Sequence, residues 1–175
     1  MPTPLNPFSV GVSGAPPLAG RTPDTHGAYT HKKYQPQDFA SLCALDRLCF
    51  PEAIAYTPEE ISLAFAQRGA FSWVAEAEDR VVAFVLAYQK KLLIGHIVTL
   101  DVHPDFRQRG IGQRLLERAE QRLQERGAER IILEVGVEND VALRFYKKVG
   151  YVTKRLLPRY YADRSDAYLM EKTLA

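Results

Sequence analysis

Eleven residues from Val102 to Gly112, Val-His-Pro-Asp-Phe-Arg-Gln-Arg-Gly-Ile-Gly, have the types and spacing of an anion-binding turn. They join a strand-like run to a strongly amphipathic helical one. Gly110 and Gly112 at the helix start would let the backbone approach a ligand closely. The first-turn N–H groups of a helix lack internal partners, and the helix dipole favours negative charge there. Arg107 and Arg109 add positive charge beside them. A pyrophosphate is the natural guest of such a turn.

Three other readings of this turn compete. A Walker-type loop ends in Gly-Lys-Ser/Thr, whereas Gly112 is followed by Gln113-Arg114, which excludes it. A dinucleotide fingerprint needs a third glycine where Leu115 stands, although Glu134 lies at a tempting distance downstream. The third is a plain helix start carrying surface arginines. The surrounding elements help to decide.

Ala28 to Tyr34 reads as a short first strand. A helix follows from Gln35-Pro36-Gln37-Asp38, with Phe39, Leu42, Leu45 and Cys49 forming its apolar stripe, and it must stop before Pro51. Thr57-Pro58-Glu59-Glu60 starts a second helix to about Gln67: a cap, a proline in the first turn, then carboxylates at the dipole's positive end. Strands over Phe71–Ala77 and Val81–Gln89 flank the turn Glu78-Asp79-Arg80, and Leu92–Val102 is a third. The long helix Gly112–Arg126 buries Ile111, Leu115, Leu116, Ala119 and Leu123 and ends at Gly127. Its other face mixes acids with arginines, as a solvated surface does and a nucleic-acid patch does not. Arg130–Val135 is a strand, Asn139–Lys148 a short helix closed by Gly150, and Tyr151–Tyr160 and Ala167–Thr173 are final strands. This order predicts an α/β fold with a mixed, mostly antiparallel central sheet and about four flanking helices. The glycine turn follows three antiparallel-type strands, which argues against a dinucleotide-binding repeat.

Residues 1–27 hold six of the eleven prolines and four of the eleven glycines, without apolar periodicity. That composition predicts a disordered tail, with the domain over residues 28–175. A secretory signal is not expected, because the segment lacks a basic start and its apolar stretch is broken by proline. Net charge is +2, which gives no push toward nucleic acid or an anionic membrane. No apolar run is long enough to span a membrane. Cys43 and Cys49 are too few for a disulfide framework, so a cytoplasmic setting is expected. His26, His31, His96 and His103 form no metal-type cluster with them, and no metal is expected.

Arg107-Gln108-Arg109-Gly110-Ile111-Gly112 resembles the Arg/Gln-x-x-Gly-x-Gly/Ala motif of the GNAT superfamily of acetyl-CoA-dependent N-acetyltransferases, and the likeness extends over roughly Tyr29 to Leu174. The resemblance implies that the loop amides, through Gln113, hold the coenzyme A pyrophosphate. It also implies that Leu100 and Val102 offer main-chain contacts to the pantetheine arm. Leu133-Glu134-Val135, Asn139, Phe145-Tyr146 and Gly150-Tyr151 are similar to a narrower group. That group comprises the ribosomal-protein-alanine and protein N-terminal acetyltransferases. Its Glu, Asn and Tyr fall on Glu134, Asn139 and Tyr146, with Asn139 on the coenzyme.

The chemistry suits those types. An ammonium must lose a proton before it attacks a thioester, and an α-amine with a pKa near ~8 needs only a modest base, a role open to Glu134. The departing thiolate needs a proton or hydrogen bond, which the Tyr146 phenol would supply. The duller readings are a solvent-facing strand Glu and a core Tyr. Arg159-Tyr160-Tyr161 resembles the tyrosine pair lining the peptide slot in N-terminal acetyltransferases, and Phe50-Pro51 with Tyr56 resembles the opposite wall. Arg159, Ala162 and Glu138 depart from the residues usual at their positions. The sequence thus implies acetyl transfer by direct attack to a primary amine, favouring a protein N-terminus. The alternatives are a small-molecule amine, a lysine side chain, or a non-catalytic acyl-CoA-binding module.

Overall fold

The structure is a computed structural model that describes residues 29–174. The proline- and glycine-rich segment over residues 1–27 lies outside the described residues. Seven strands form one sheet: β1 (Thr30–Lys33), β2 (Phe71–Ala77), β3 (Arg80–Lys91), β4 (Ile94–Val102), β5 (Arg130–Gly136), β6 (Val152–Leu157) and β7 (Ala167–Thr173). Their spatial order is β1-β2-β3-β4-β5-β7-β6, and every neighbouring pair is antiparallel except β4 and β5. The helices are α1 (Phe39–Cys49), α2 (Pro58–Phe65), α3 (Ile111–Glu125) and α4 (Asp140–Lys148). Among the described residues no helix is long and apolar enough to cross a membrane.

Local chemistry sets most boundaries. Thr57 and Glu60 make a reciprocal capping box at the start of α2, and Asn139 caps α4 through the Ala142 amide. Glu78 and Asp79 both take left-handed backbone in the tight β2–β3 turn, as a two-residue hairpin demands. One strand stops short of the sequence expectation. β6 ends at Leu157, so Tyr160 and Tyr161 sit in the β6–β7 connection rather than in a strand. Pro158 has no N–H for the ladder, and Arg159 takes left-handed backbone at φ 52°.

The sheet separates two apolar layers. One holds Ile97, Leu100 and Val102 of β4 against Leu115, Leu116 and Leu123 of α3 and Tyr146 of α4. The other holds Val98 of β4 with Leu42 and Leu45 of α1, Ile61 of α2 and Tyr56 between them. A bulge leaves Val98 as an extra residue between Ile97 and Thr99, which pair with Ala87 and Leu86. That single residue resets the alternation, so that Leu100 and Val102 point to the α3 layer. β4 and β5 pair only from Ile94 to His96 against Arg130 to Ile132, and beyond those residues the two strands diverge.

Candidate active site

Gln108 and Gly110 both take left-handed backbone, with φ of 61° and 77°. Such a turn aims successive amides at one point, a concavity suited to an anion. Gly110 caps α3 without a side chain, and the first bond of the helix is Arg114 N–H to the Gly110 carbonyl. The Ile111, Gly112 and Gln113 amides precede that bond and therefore have no helical partner. Gly112 packs closely on β4: a Cβ there would lie 3.3 Å from Val102 Cγ2, so the valine would have to give by a few tenths of an ångström. It lets the start of α3 rest on β4. Arg107 turns inward, donating from Nε to the Val102 carbonyl at 2.9 Å, so its guanidinium closes the loop onto β4. Arg109 stacks over Phe106 and donates to the Asp105 carbonyl, and the Gln113 amide group bonds Glu117. The turn thus meets an anion mainly with main-chain amides.

The strand beside it has an open edge. The His103 amide donates to the Val82 carbonyl on β3. Alternation then turns the Val102 and Leu100 main-chain groups away from β3, toward the gap beside β5. The Val102 carbonyl already serves Arg107 and the Cys49 thiol. The Leu100 groups and the Val102 amide are left to face an extended ligand arm. These features fit a pyrophosphate joined to an amide-bearing chain, as in coenzyme A.

On the face that carries α1 and α2, His96 Nε2 lies 2.7 Å from Glu134 Oε2, with both side chains almost fully buried. Burial pushes the Glu134 carboxyl up, but the charge and hydrogen bond of His96, with Lys90 and the Tyr160 hydroxyl, outweigh it and hold the group below its usual range. Tyr88 meets the His96 ring edge-on at 5.1 Å. Tyr160 donates to Glu134 and packs edge-on against Tyr161, with ring centroids 5.3 Å apart. Tyr56 is buried in the same neighbourhood, its phenol pushed well up by burial and by Asp46, Tyr160, Glu134 and Tyr161. Pro51 stays exposed, and its carbonyl receives the Ile54 and Ala55 amides that shape the loop between α1 and α2. The structure therefore gathers Tyr56, Tyr160, Tyr161 and Glu134, while Pro51 lies on the exposed start of the loop that leads to Tyr56.

Tyr146 approaches from the opposite face. It is fully buried in the α3 layer, and among the described residues its hydroxyl has no hydrogen-bond partner. Burial above all, with the nearby carboxyls of Asp101 and Glu120, pushes its phenol well up, so it stays protonated. A buried hydroxyl without a partner costs free energy, and a ligand group reaching it would offset that cost. Asn139 follows the end of β5 and caps α4.

Sequence reasoning missed His96, which it used only to argue against a metal. The remaining signal was an imidazole in an apolar strand, and its partner 38 positions away depends on the β4–β5 register. Among the described residues, no group of three or more His, Cys, Asp or Glu side chains is placed to hold a metal.

Comparison with known proteins agrees with this geometry. A model of the acetyltransferase (GNAT) family matches residues 39–151. The N-alpha-acetyltransferase of Sulfurisphaera tokodaii is 32% identical over 154 residues, spanning 78% of this chain and 88% of its own. The crystal structure of Ard1 from Thermoplasma volcanium superimposes with a TM-score of 0.76 at 28% identity, covering 85% of this chain and 99% of its own. The ribosomal-protein-S18-alanine N-acetyltransferase of Escherichia coli shares the fold with a TM-score of 0.74 at 21% identity, over 85% and 95% of the two chains. The chain belongs to the GNAT family and is an acetyl-CoA-dependent acetyltransferase.

Proposed function

We propose that this enzyme acetylates the α-amine at a protein or peptide N-terminus by direct attack on acetyl-CoA. One observation carries the reading. The buried Glu134–His96 pair opens on the α1 and α2 face, the unpartnered Tyr146 hydroxyl opens on the α3 face, and the diverging strands β4 and β5 separate them. Acetyl-CoA fits the α3 side, with its pyrophosphate on the amides of residues 108–113 and its arm along Leu100 and Val102. The acceptor fits the other side, between Tyr56 and the Tyr160–Tyr161 pair.

Glu134 takes the proton that the ammonium must lose, directly or through a water, and His96 keeps it ionised for that task. Amides along the open edge of β4 face the charge that builds on the thioester oxygen. Tyr146 gives its proton or a hydrogen bond to the leaving sulfur. Among the described residues, the Glu134 carboxylate beside the aromatic walls is already paired with His96, and the Asp46 carboxyl is taken up by the Tyr56 amide. That suits a neutral amine followed by peptide backbone better than a polycation, which needs several free acids. The relatives that act as N-alpha-acetyltransferases support the same acceptor. The free, buried thiols of Cys43 and Cys49 fit a cytoplasmic setting.

A turnover screen tests this reading, using peptides with varied first residues beside polyamines and free lysine. Turnover concentrated on peptide α-amines is expected, and Tyr160→Ala with Tyr161→Ala should depress it far more than coenzyme binding. Preference for a polyamine or for lysine Nζ would overturn the acceptor assignment.

A further inference from the structure

Asp46 on α1 and Asp101 on β4 are both fully buried, and the chemistry above uses neither. Asp46 Oδ2 accepts the Tyr56 amide at 2.6 Å, and Asp101 Oδ1 accepts the Thr99 hydroxyl at 2.5 Å. Their other oxygens, Asp46 Oδ1 and Asp101 Oδ2, are buried with no hydrogen-bond donor among the described residues, and the two carboxyls are near enough for each to shift the other's protonation. Two carboxylates have no proton to donate, and two bare charges in an apolar layer repel. Burying the two side by side therefore requires a proton on the pair.

We propose that Asp46 and Asp101 share one proton and act as positioning residues that lock the acceptor wall to the coenzyme strand. This rests on the acceptor reading above. The wall is the loop after α1, which carries Pro51 and Tyr56, and its last residue before α2 capping is held by the Tyr56 amide on Asp46. The strand is β4, where Asp101 lies between Leu100 and Val102, the residues whose main chain faces the coenzyme arm.

The surroundings favour Asp101 as the proton's seat. Burial pushes Asp46 up to about 7, against the pull of the Tyr56 amide and of Asp101, and raises Asp101 much further, aided by Asp46. The other charged or titratable groups around the pair are Arg47, Cys43 and Cys49 on α1, Glu60 on α2, Arg107 after β4, Tyr56 and Tyr146. Arg107 leans on the Val102 carbonyl, and the Cys49 thiol is held neutral, its pKa pushed up to about 12 by burial. Of the pair, Asp46 is thus the first to ionise as pH rises, and its carboxylate is what the Tyr56 amide meets.

Infrared difference spectra and steady-state kinetics on the full chain test this. The wild type should show a protonated-carboxyl C=O band at pH 7.5 that Asp101→Asn removes. The side-chain amide introduced by Asp101→Asn would donate to Asp46 as the protonated acid does, so that variant should keep the peptide KM within about twofold. Asp46→Ala should raise the peptide KM about tenfold or more with coenzyme Kd unchanged. Asp46→Asn should restore most of that loss. Absence of a band that Asp101→Asn removes would overturn the shared proton, and an unchanged peptide KM in folded Asp46→Ala, or in Asp46→Leu if the alanine variant does not fold, would overturn the positioning role. If the wild type acetylates no peptide, the acceptor reading fails instead, while the infrared band still decides the proton.

Discussion

His96 Nε2 and Glu134 Oε2 are 2.7 Å apart at the point where β4 and β5 stop pairing. His96 is the last paired residue on β4, and Glu134 lies two residues past its partner Ile132. Both side chains therefore emerge on one face, one at the end of the ladder and one just beyond it.

This pairing predicts how the pH profile responds to mutation. Glu134 is held below its usual range, so it is ionised wherever the acceptor amine has begun to lose its proton. The acid limb of kcat/KM should follow the amine, near pH ~8. Glu134→Gln should lower kcat/KM by about 10²-fold at pH 7 and partly recover above the amine's pKa. His96→Phe leaves the carboxyl buried without its main partner, so the Glu134 pKa should rise from its lowered value toward that of the amine, and kcat/KM should fall most at the acid end of the profile. The stability that the depressed Glu134 contributes is fully present above the ordinary Glu pKa and is lost as pH falls through the lowered folded value. A flat profile in Glu134→Gln would remove this residue from the mechanism.

Tyr146→Phe separates stability from chemistry. The hydroxyl has no partner in the protein alone, so its removal should leave Tm unchanged or raise it. The maximal rate should drop about 10- to 100-fold while coenzyme Kd and peptide KM stay close to wild type, because the hydroxyl acts on the departing sulfur. Full activity with a higher Tm would make Tyr146 a core residue only.

Two glycines at the ends of α3 give a matched pair. Gly110 before it and Gly127 after it have φ of 77° and 85°, and neither has an atom within 4 Å of an added Cβ. Alanine at either should cost about 1 kcal/mol of stability through backbone strain alone. Only Gly110→Val should abolish coenzyme binding by calorimetry, because its side chain would stand in the anion cradle. Equal coenzyme affinity in folded Gly110→Val and Gly127→Ala would show that the pyrophosphate sits elsewhere.

Residues 1–27 should be dispensable, because their composition lacks the apolar content of a core. A chain starting at Ala28 should match the full chain in Tm and in peptide turnover. A marked loss of either would show that the segment docks on the domain.

Much of this protein is legible in local chemistry. The stripe Leu42, Leu45 and Cys49 is buried as its spacing implies, and the Thr57–Glu60 box starts α2. The glycine turn stands where the motif places it. The reading of β6 failed because apolar and aromatic residues continue past Pro158, while the backbone there turns over.

By itself the sequence determined most of the elements, their caps and turns, and the glycine turn before α3, because each depends on residues within a few positions of one another. The pairs that tie the site together lie far apart in the chain: His96 with Glu134, Asp46 with Asp101, and Tyr56 beside Tyr160. Only the tertiary structure decided these. They depend on the bulge at Val98 and on where β4 parts from β5, and a one-residue change in either register would turn the same side chains to the opposite face.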